Sequence, residues 1–263
     1  MSSWLACIDL DGTMLTSSEK VTSYTREVIQ DFRAEGNKVA IVTGRHPLST
    51  FPIIKMSGKM DGIACFNGSW VQGLGGGQIH AVFFEQEDHE SISRELTELN
   101  VPVIWSTDNA FYVTNAPVRF PLEQGLVPVI DGNLPVGEKV WKITLRIESE
   151  KQRGEIREWC MRQQAIEWIE SSPSTMDLHP LNQSKGLALQ KLADSYNIPL
   201  SKTIAIGNWD NDLSMIEKAQ IGVAMTNSSK SLFSVANEIA GHHDDHGVAK
   251  WLFSHSQSLV KKV

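Results

Sequence analysis

Residues 4–13 read Trp4-Leu5-Ala6-Cys7-Ile8-Asp9-Leu10-Asp11-Gly12-Thr13. An apolar run without polar alternation is the pattern of a strand buried on both faces. The run breaks at Asp-x-Asp-Gly, where glycine permits a sharp turn and close backbone approach to a ligand. Two carboxylates two residues apart at a strand end can share one pocket. They repel unless a cation neutralises them or one stays protonated.

The same punctuation recurs along the chain. Thr22 opens a helical pattern over 22–35, with Val28, Ile29 and Phe32 on one face and Gly36 at its end. Lys38–Val42 reads as a second buried strand ending at Thr43-Gly44-Arg45, and Ile63–Phe66 as a third ending at Asn67-Gly68. Strand, helix, strand in that order predicts a Rossmann-like open parallel sheet with helices on its faces. The alternation returns late. Helices are expected over 184–196, 210–219, 228–236 and 248–253, and strands over 203–206, 221–224 and 239–240.

The middle has a different texture. Gly73–Gly77 predicts a hairpin turn. Beyond it, candidate strands at 101–106, 110–114, 140–147, 166–170 and 176–179 mix with helices at about 87–99 and 150–162. Residues 140–147 alternate apolar with polar, as in a half-exposed strand of an antiparallel sheet. The expected fold class is therefore α/β. A parallel core built from 1–83 and 183–263 carries an inserted α+β cap domain over 84–182.

The chain has 263 residues, a formal net charge of -7 and 41% hydrophobic residues, which suits a globular protein with a sizeable core. The acidic balance argues against nucleic acid as a partner, because a phosphate backbone needs a basic face. No stretch reaches the apolar length of a membrane span. The N-terminus shows no leader pattern, so the expected location is the cytoplasm. Cys7, Cys65 and Cys160 fit no metal or redox spacing and read as small buried core residues. Oligomeric state is not legible.

In a parallel α/β sheet, ligands bind beyond the carboxyl ends of the strands. Here those ends carry Asp9-Leu10-Asp11-Gly12-Thr13, Thr43-Gly44-Arg45 and Gly207-Asn208-Trp209-Asp210-Asn211-Asp212, while Ser184-Lys185-Gly186 opens a helix. Together these strings resemble the motifs of the haloacid dehalogenase-like (HAD) superfamily. The Thr-Gly-Arg form, Asn67-Gly68, Ser184-Lys185-Gly186 and the run from Gly207 to Met215 are similar to its Cof-type branch, subclass IIB. The resemblance covers nearly the whole chain, through motifs in the core and through architecture in the middle.

That resemblance implies a phosphatase for small phosphorylated metabolites, with sugar phosphates favoured and Mg2+ as cofactor. It makes Asp9 the nucleophile that becomes an aspartyl-phosphate. Asp11 becomes the general acid and base and lends a backbone carbonyl to the metal. Lys185 becomes the cation between nucleophile and phosphate. Thr13, Thr43, Gly44, Arg45 and Asn211 are implied phosphate or substrate contacts. The implied metal ligands are Asp9, Asp11, Asn208 and Asp212, with Asp210 as a further helper. The family's loop usually begins Gly-Asp, whereas this one begins Gly207-Asn208. An amide oxygen can bind magnesium but brings no full charge, so weaker metal binding is expected. Two other readings stay open: a phosphotransferase or mutase using the same intermediate, and a phosphate-binding protein weakened in catalysis by Asn208.

Some features have plainer readings. Arg45 either binds substrate or braces its loop. His242-His243-Asp244-Asp245-His246 reads as a solvated loop leading into the last helix. Trp4, Trp141 and Trp251 read as core, whereas Trp105 and Trp168 belong to the inserted sheet. Trp209 lies in the acidic loop, and Asp177, His179 and Asn182 lie where the insertion returns to the core.

Overall fold

The computed structural model describes residues 3–73, 75–114, 129–132 and 137–261. Its first half supplies β1 (Leu5–Ile8), α1 (Ser23–Ala34), β2 (Lys38–Val42), α2 (Pro47–Ser57), β3 (Gly62–Cys65), β4 (Trp70–Gln72) and β5 (Gln78–Ala81). The middle supplies α3 (Gln86–Glu98), β6 (Val103–Ser106), β7 (Phe111–Thr114), β8 (Val129–Asp131), β9 (Lys142–Arg146), α4 (Glu150–Arg162), β10 (Ile166–Ser172) and β11 (Thr175–Pro180). The last part supplies α5 (Lys185–Ser195), β12 (Thr203–Gly207), α6 (Leu213–Lys218), β13 (Ile221–Met225), α7 (Lys230–Val235), β14 (Glu238–Ala240) and α8 (Gly247–Lys261).

Among the described residues the strands form two sheets. The first runs β14-β13-β12-β1-β2-β3-β4-β5. Its strands from β14 to β3 are parallel, and β4 and β5 add an antiparallel hairpin at the β3 edge. Gly73–Gly77 is the turn of that hairpin, with Leu74 outside the described residues. The second sheet runs β10-β11-β9-β6-β7-β8 and is antiparallel except where β8 lies parallel to β7. Part of the inserted segment, 115–128 and 133–136, lies outside the described residues.

Strand alternation divides the first sheet's core in two. Ala6, Ile8, Val39, Ile41 and Ile206 face α1 and α8, meeting Ile29, Phe32 and Leu252. Leu5, Cys7, Ala40, Val42 and Ala205 face the other way, against Leu189 and Leu192 of α5. Burial on both faces explains why these strands contain so few polar residues. The second sheet has one apolar face, where Trp105, Ile143, Leu145 and Leu178 pack on Leu96, Ile156 and Trp159. Its other face is polar: Lys142 and Thr144 of β9 point into a cleft beside the first sheet. All three cysteines are buried and lie outside any disulfide.

The structure departs from the sequence reading in several places. β1 stops at Ile8 because the chain then tightens into a turn over Leu10–Met14, with Leu15 N donating to Leu10 O at 2.9 Å. The helix α2 was not expected, since Pro52 interrupts it and its apolar residues show no helical stripe. It starts because the His46 side chain accepts from Leu48 N and Pro47 stands at its first position. α8 continues well past Phe253, and β8 adds a strand.

Candidate active site

β1 lies between β2 and β12, where the order of strands reverses direction along the sheet. Ligands bind at such a switch point, outside the carboxyl ends of the strands. Asp9 leaves the end of β1, Thr43 the end of β2 and Asn208 the end of β12, while Lys185 opens α5. A cavity of about 550 Å3 opens there. One wall comes from the first sheet's loops through Asp9, Asp11, Gly44, Arg45, Asn208 and Asn211. The other comes from the second sheet through Ile104, Ser106, Phe111, Lys142, Thr144 and Asp177. Of the residues singled out from sequence, Thr13, Thr43, Lys185 and Asp212 are buried behind this wall.

Lys185 Nζ donates to Asp9 Oδ1 at 2.7 Å and to Asp212 Oδ1 at 2.6 Å. Burial works against the lysine's charge, but the carboxylates of Asp212 and Asp9 outweigh it and hold the ammonium above its ordinary range. Burial pushes the Asp9 carboxyl up to about 7, and Asp212 and Asp11 push the same way. The Lys185 ammonium opposes them. Asp9 is therefore a buried anion whose charge depends on adjacent cations.

Asp212 differs from its expected place in a metal shell. Its Oδ1 is taken by Lys185, and its Oδ2 accepts from Asn208 N at 2.8 Å and Trp209 N at 3.0 Å. Both oxygens are thus committed to protein donors, and the residue is wholly buried. It orients the lysine and closes the loop turn. Asp210 also turns aside, its Oδ1 accepting from Ser229 and Ser231.

Asp11 is more than half exposed, and a guanidinium holds it. Arg45 Nε donates to Asp11 Oδ2 at 2.8 Å, and Arg45 Nη2 to Asp11 Oδ1 at 2.6 Å. Glu19 lies 3.4 Å from the same nitrogen. Of the two readings of Arg45, the structure supports a brace, with the side chain still lining the cavity.

The donors expected for a metal are hard oxygens. Asp9, Asp11 and Asn208 border the same cavity. Gly12 adopts φ +68°, and a Cβ there would collide with the Asn208 amide. The glycine therefore lets that side chain come against the Asp9–Thr13 turn, where Asn208 Oδ1 accepts from Thr13 Oγ1 at 3.2 Å. Carboxylate, backbone carbonyl and amide oxygens around an open cavity fit Mg2+, which takes oxygen ligands and keeps water.

A polar hub was only partly legible. Phe66 and Asn67 both take left-handed φ values, +51° and +52°, which side-chain-bearing residues seldom adopt. That turn aims Asn67 across the two sheets. Its Nδ2 donates to Asp177 Oδ2 at 3.2 Å and to His179 Nε2 at 3.1 Å, and its Oδ1 accepts from Asn211 Nδ2 at 3.1 Å. Burial opposes ionisation of Asp177, but Lys142, His179 and Thr144 outweigh it and hold the carboxyl below its usual range. Burial pushes His179 down to about 4. Sequence reasoning gave Asp177 and His179 a position only, and it gave Lys142 no role. Lys142 Nζ donates to Gly44 O at 2.9 Å and lies 3.4 Å from Asp177 Oδ2.

The remaining features keep their plain readings. Ligand atoms of His242, His243 and Asp244 fall within 4.8 Å of one another. They serve the loop itself: Asp244 accepts from Ser17 N and Oγ, each at 2.7 Å, and His243 Nδ1 bonds Leu15 O. Trp4, Trp105, Trp141 and Trp251 are buried, and Trp209 lines the cavity. Among the described residues no helix is long and apolar enough to cross a membrane.

Three comparisons bear on this site. The profile of the haloacid dehalogenase-like hydrolases matches residues 6–252. A 5-amino-6-(5-phospho-D-ribitylamino)uracil phosphatase of Bacillus subtilis is 27% identical, over 95% of this chain and 96% of that protein. A haloacid dehalogenase-like hydrolase structure from B. subtilis superposes with a TM-score of 0.84 at 23% identity, covering 95% of this chain and 98% of that one. The subclass IIB sugar phosphatase BT4131 superposes with a TM-score of 0.81 at 21% identity, covering 96% and 98%.

Proposed function

The chain belongs to the haloacid dehalogenase-like hydrolases, of the Cof type, and we propose that it hydrolyses small phosphomonoesters through a phosphorylated Asp9, with Mg2+ as cofactor. The observation that carries this reading is the buried ammonium of Lys185 between Asp9 and Asp212, behind the wall of a cavity lined by both sheets. A carboxylate in that place is a poor resident of the protein interior unless a cation and a transferring group complete its surroundings.

Each residue contributes a separable part. Asp9 attacks phosphorus and the ester oxygen departs, which divides hydrolysis into two displacements. Asp11 gives the leaving oxygen a proton and then takes one from the attacking water. Arg45 keeps Asp11 aimed at the cavity. Lys185 offsets the charge of Asp9 and of the phosphoryl group, helped by the start of α5. Thr43, with the amide of Gly44, donates to the phosphoryl oxygens. Asn211, tied to Asn67, lines the same cavity. Magnesium, held by Asp9, the Asp11 carbonyl and Asn208, would supply charge neutralisation for the phosphoryl group.

The second sheet acts as a cap, with 84–182 inserted into a core of 1–83 and 183–263. It narrows the cleft and excludes bulk water from a small substrate. Sugar phosphates are the favoured class. Hydroxyl-bearing Ser106, Thr144 and Thr175 line the cap side, the B. subtilis relative acts on a phosphorylated ribitylamino compound, and BT4131 is a sugar phosphatase. The test is magnesium-dependent hydrolysis of p-nitrophenyl phosphate by wild type and Asp9→Asn, with release of free phosphate measured. Loss of turnover in the variant is expected. Equal rates would overturn the reading.

A further inference from the structure

The Gly44–Arg45 peptide is bonded on both sides. Its carbonyl accepts from Lys142 Nζ at 2.9 Å, across from the second sheet. Its N–H, that of Arg45, donates to Thr43 Oγ1 at 3.2 Å. A hydroxyl that accepts there has its own proton to give in another direction. Thr43 is fully buried, so that proton has few places to go. We infer that Lys142 is a positioning residue for phosphoryl transfer: from the cap it fixes the Gly44–Arg45 peptide, and through that peptide it turns the Thr43 hydroxyl proton towards the phosphoryl group.

Several observations support the relay. A charged donor on a peptide carbonyl polarises the peptide, and bonds in such a chain strengthen one another. Lys142 is itself held, because Asp177 lies 3.4 Å from its Nζ and accepts from Thr144 Oγ1 at 2.6 Å. Asp177 also accepts from Asn67, whose N–H donates to the Thr43 carbonyl at 3.0 Å. The Thr43 and Gly44 carbonyls of this turn are therefore both tied to the cap, one through Asn67 and one through Lys142. A Cβ on Gly44 would meet Asn67 Oδ1 at 2.9 Å, so the turn must carry glycine for the hub to close on it. Docking of the cap and geometry of the phosphate-binding turn become one event.

The competing role for this ammonium is a direct grip on the substrate's leaving group, since Lys142 lines the cavity. The relay rests on Thr43 contacting the phosphoryl group, and the experiment separates the two claims. Wild type, Lys142→Met, Lys142→Arg, Thr43→Ala and Lys142→Met/Thr43→Ala are assayed for kcat and KM. Two esters are used, p-nitrophenyl phosphate and a sugar phosphate, with Asp9→Asn as the blank. The relay predicts a kcat loss of about tenfold in Lys142→Met for both esters, with KM little changed and Lys142→Arg retaining most of the rate. It also predicts that the double variant is no slower than Thr43→Ala, because residues acting as a unit are non-additive. Multiplied losses in the double variant would overturn the relay, as would a KM effect confined to the sugar phosphate. So would Lys142→Arg proving as slow as Lys142→Met while melting like wild type. Should Lys142→Met fail to fold, Lys142→Gln replaces it in the same cycle. An active Asp9→Asn would instead strike the proposed function.

Discussion

Asp212 Oδ1 accepts a hydrogen bond from Lys185 Nζ at 2.6 Å in a place that neither side chain shares with solvent. The partner oxygen closes the Asn208–Trp209 turn, so one carboxylate both neutralises the lysine and shapes the loop. Removing one member of a buried pair leaves an uncompensated charge. Asp212→Asn is expected to lose about 3 kcal/mol in urea unfolding and to lower turnover. Because both oxygens are committed to protein donors, the magnesium concentration for half-activation of the residual rate should stay close to the wild-type value. A large rise would return Asp212 to the metal shell.

Asn208 stands where a carboxylate is usual. Asn208→Asp adds a full negative charge to the oxygen cluster and keeps the shape. It should tighten magnesium, lowering the half-activating concentration by about tenfold. A magnesium titration of p-nitrophenyl phosphate hydrolysis measures it. A marked rise in kcat as well would mean that the native chain is catalytically restrained by its amide.

In the proposed mechanism, protonation by Asp11 matters most when the departing oxygen is a poor leaving group. kcat/KM reports steps through the first phosphoryl transfer, so the later water-activating role does not enter it. For Asp11→Asn, kcat/KM on an alkyl phosphate should fall by about 10²-fold or more, and on p-nitrophenyl phosphate by much less. Arg45→Ala, which releases Asp11 from its two bonds, should move the ratio of the two substrates in the same direction. Equal losses on both would remove Asp11 from proton transfer.

Stability at low pH should depend on a pair far from the cavity. Asp61 accepts from Arg33 Nε at 2.6 Å, Arg33 Nη2 at 3.0 Å and Val39 N at 3.0 Å. Burial opposes its charge, but those donors outweigh it and hold the folded pKa below the unfolded value. The unfolded chain then binds more protons as acid is added. The contribution is full above the ordinary aspartate range and fades as pH falls through the lower folded pKa. Asp61→Asn should cost about 2–3 kcal/mol near neutrality, and the gap to wild type should narrow in acid. Urea unfolding across pH checks the sign, and a gap that widens in acid would contradict it.

His46 sets a second acid dependence. Burial pushes it down to about 4, below the 6.5 of an unhindered imidazole. Nδ1 accepts from Leu48 N, and Nε2 donates to Thr107 O at 2.8 Å, so the neutral ring both caps α2 and bonds the turn between β6 and β7. The unfolded state takes the proton first, so stability should fall as pH drops from about 6.5 towards 4. His46→Gln should flatten that part of the melting-temperature profile, and an unchanged slope would exclude His46 as its source.

The parts of the fold that were legible share a cause. β1, β2 and β12 are short apolar runs ended by charged or glycine turns, and burial on both faces imposes that composition locally. The resulting strand ends named Asp9, Thr43 and Asn208 without any tertiary knowledge. Lys142 could not be found that way. It reads as the polar half of an alternating strand, and its meaning comes from Gly44, 98 residues earlier. Its polar face was read correctly as uncovered by core, but what it faces is a cleft. The surroundings of Asp212 were illegible for a related reason: an acid in an acidic loop suggests a metal, and only the approach of Lys185 from another element shows both oxygens accepting from protein donors. α2 was invisible because Pro52 breaks the pattern that a helix normally leaves.

The order of strands in the first sheet also bears on synthesis. β1 pairs with β2 on one side and β12 on the other, and the whole second sheet is made between them. As the chain leaves the ribosome, β1 holds one unmatched row of peptide groups until β12 appears. An apolar strand in that condition is a template for unwanted pairing. Asp9 is thus translated well before Lys185. The strand that leads to Asp9 is paired on both sides only once β12 has been made, so a chain stalled before β12 leaves that edge open to unwanted pairing.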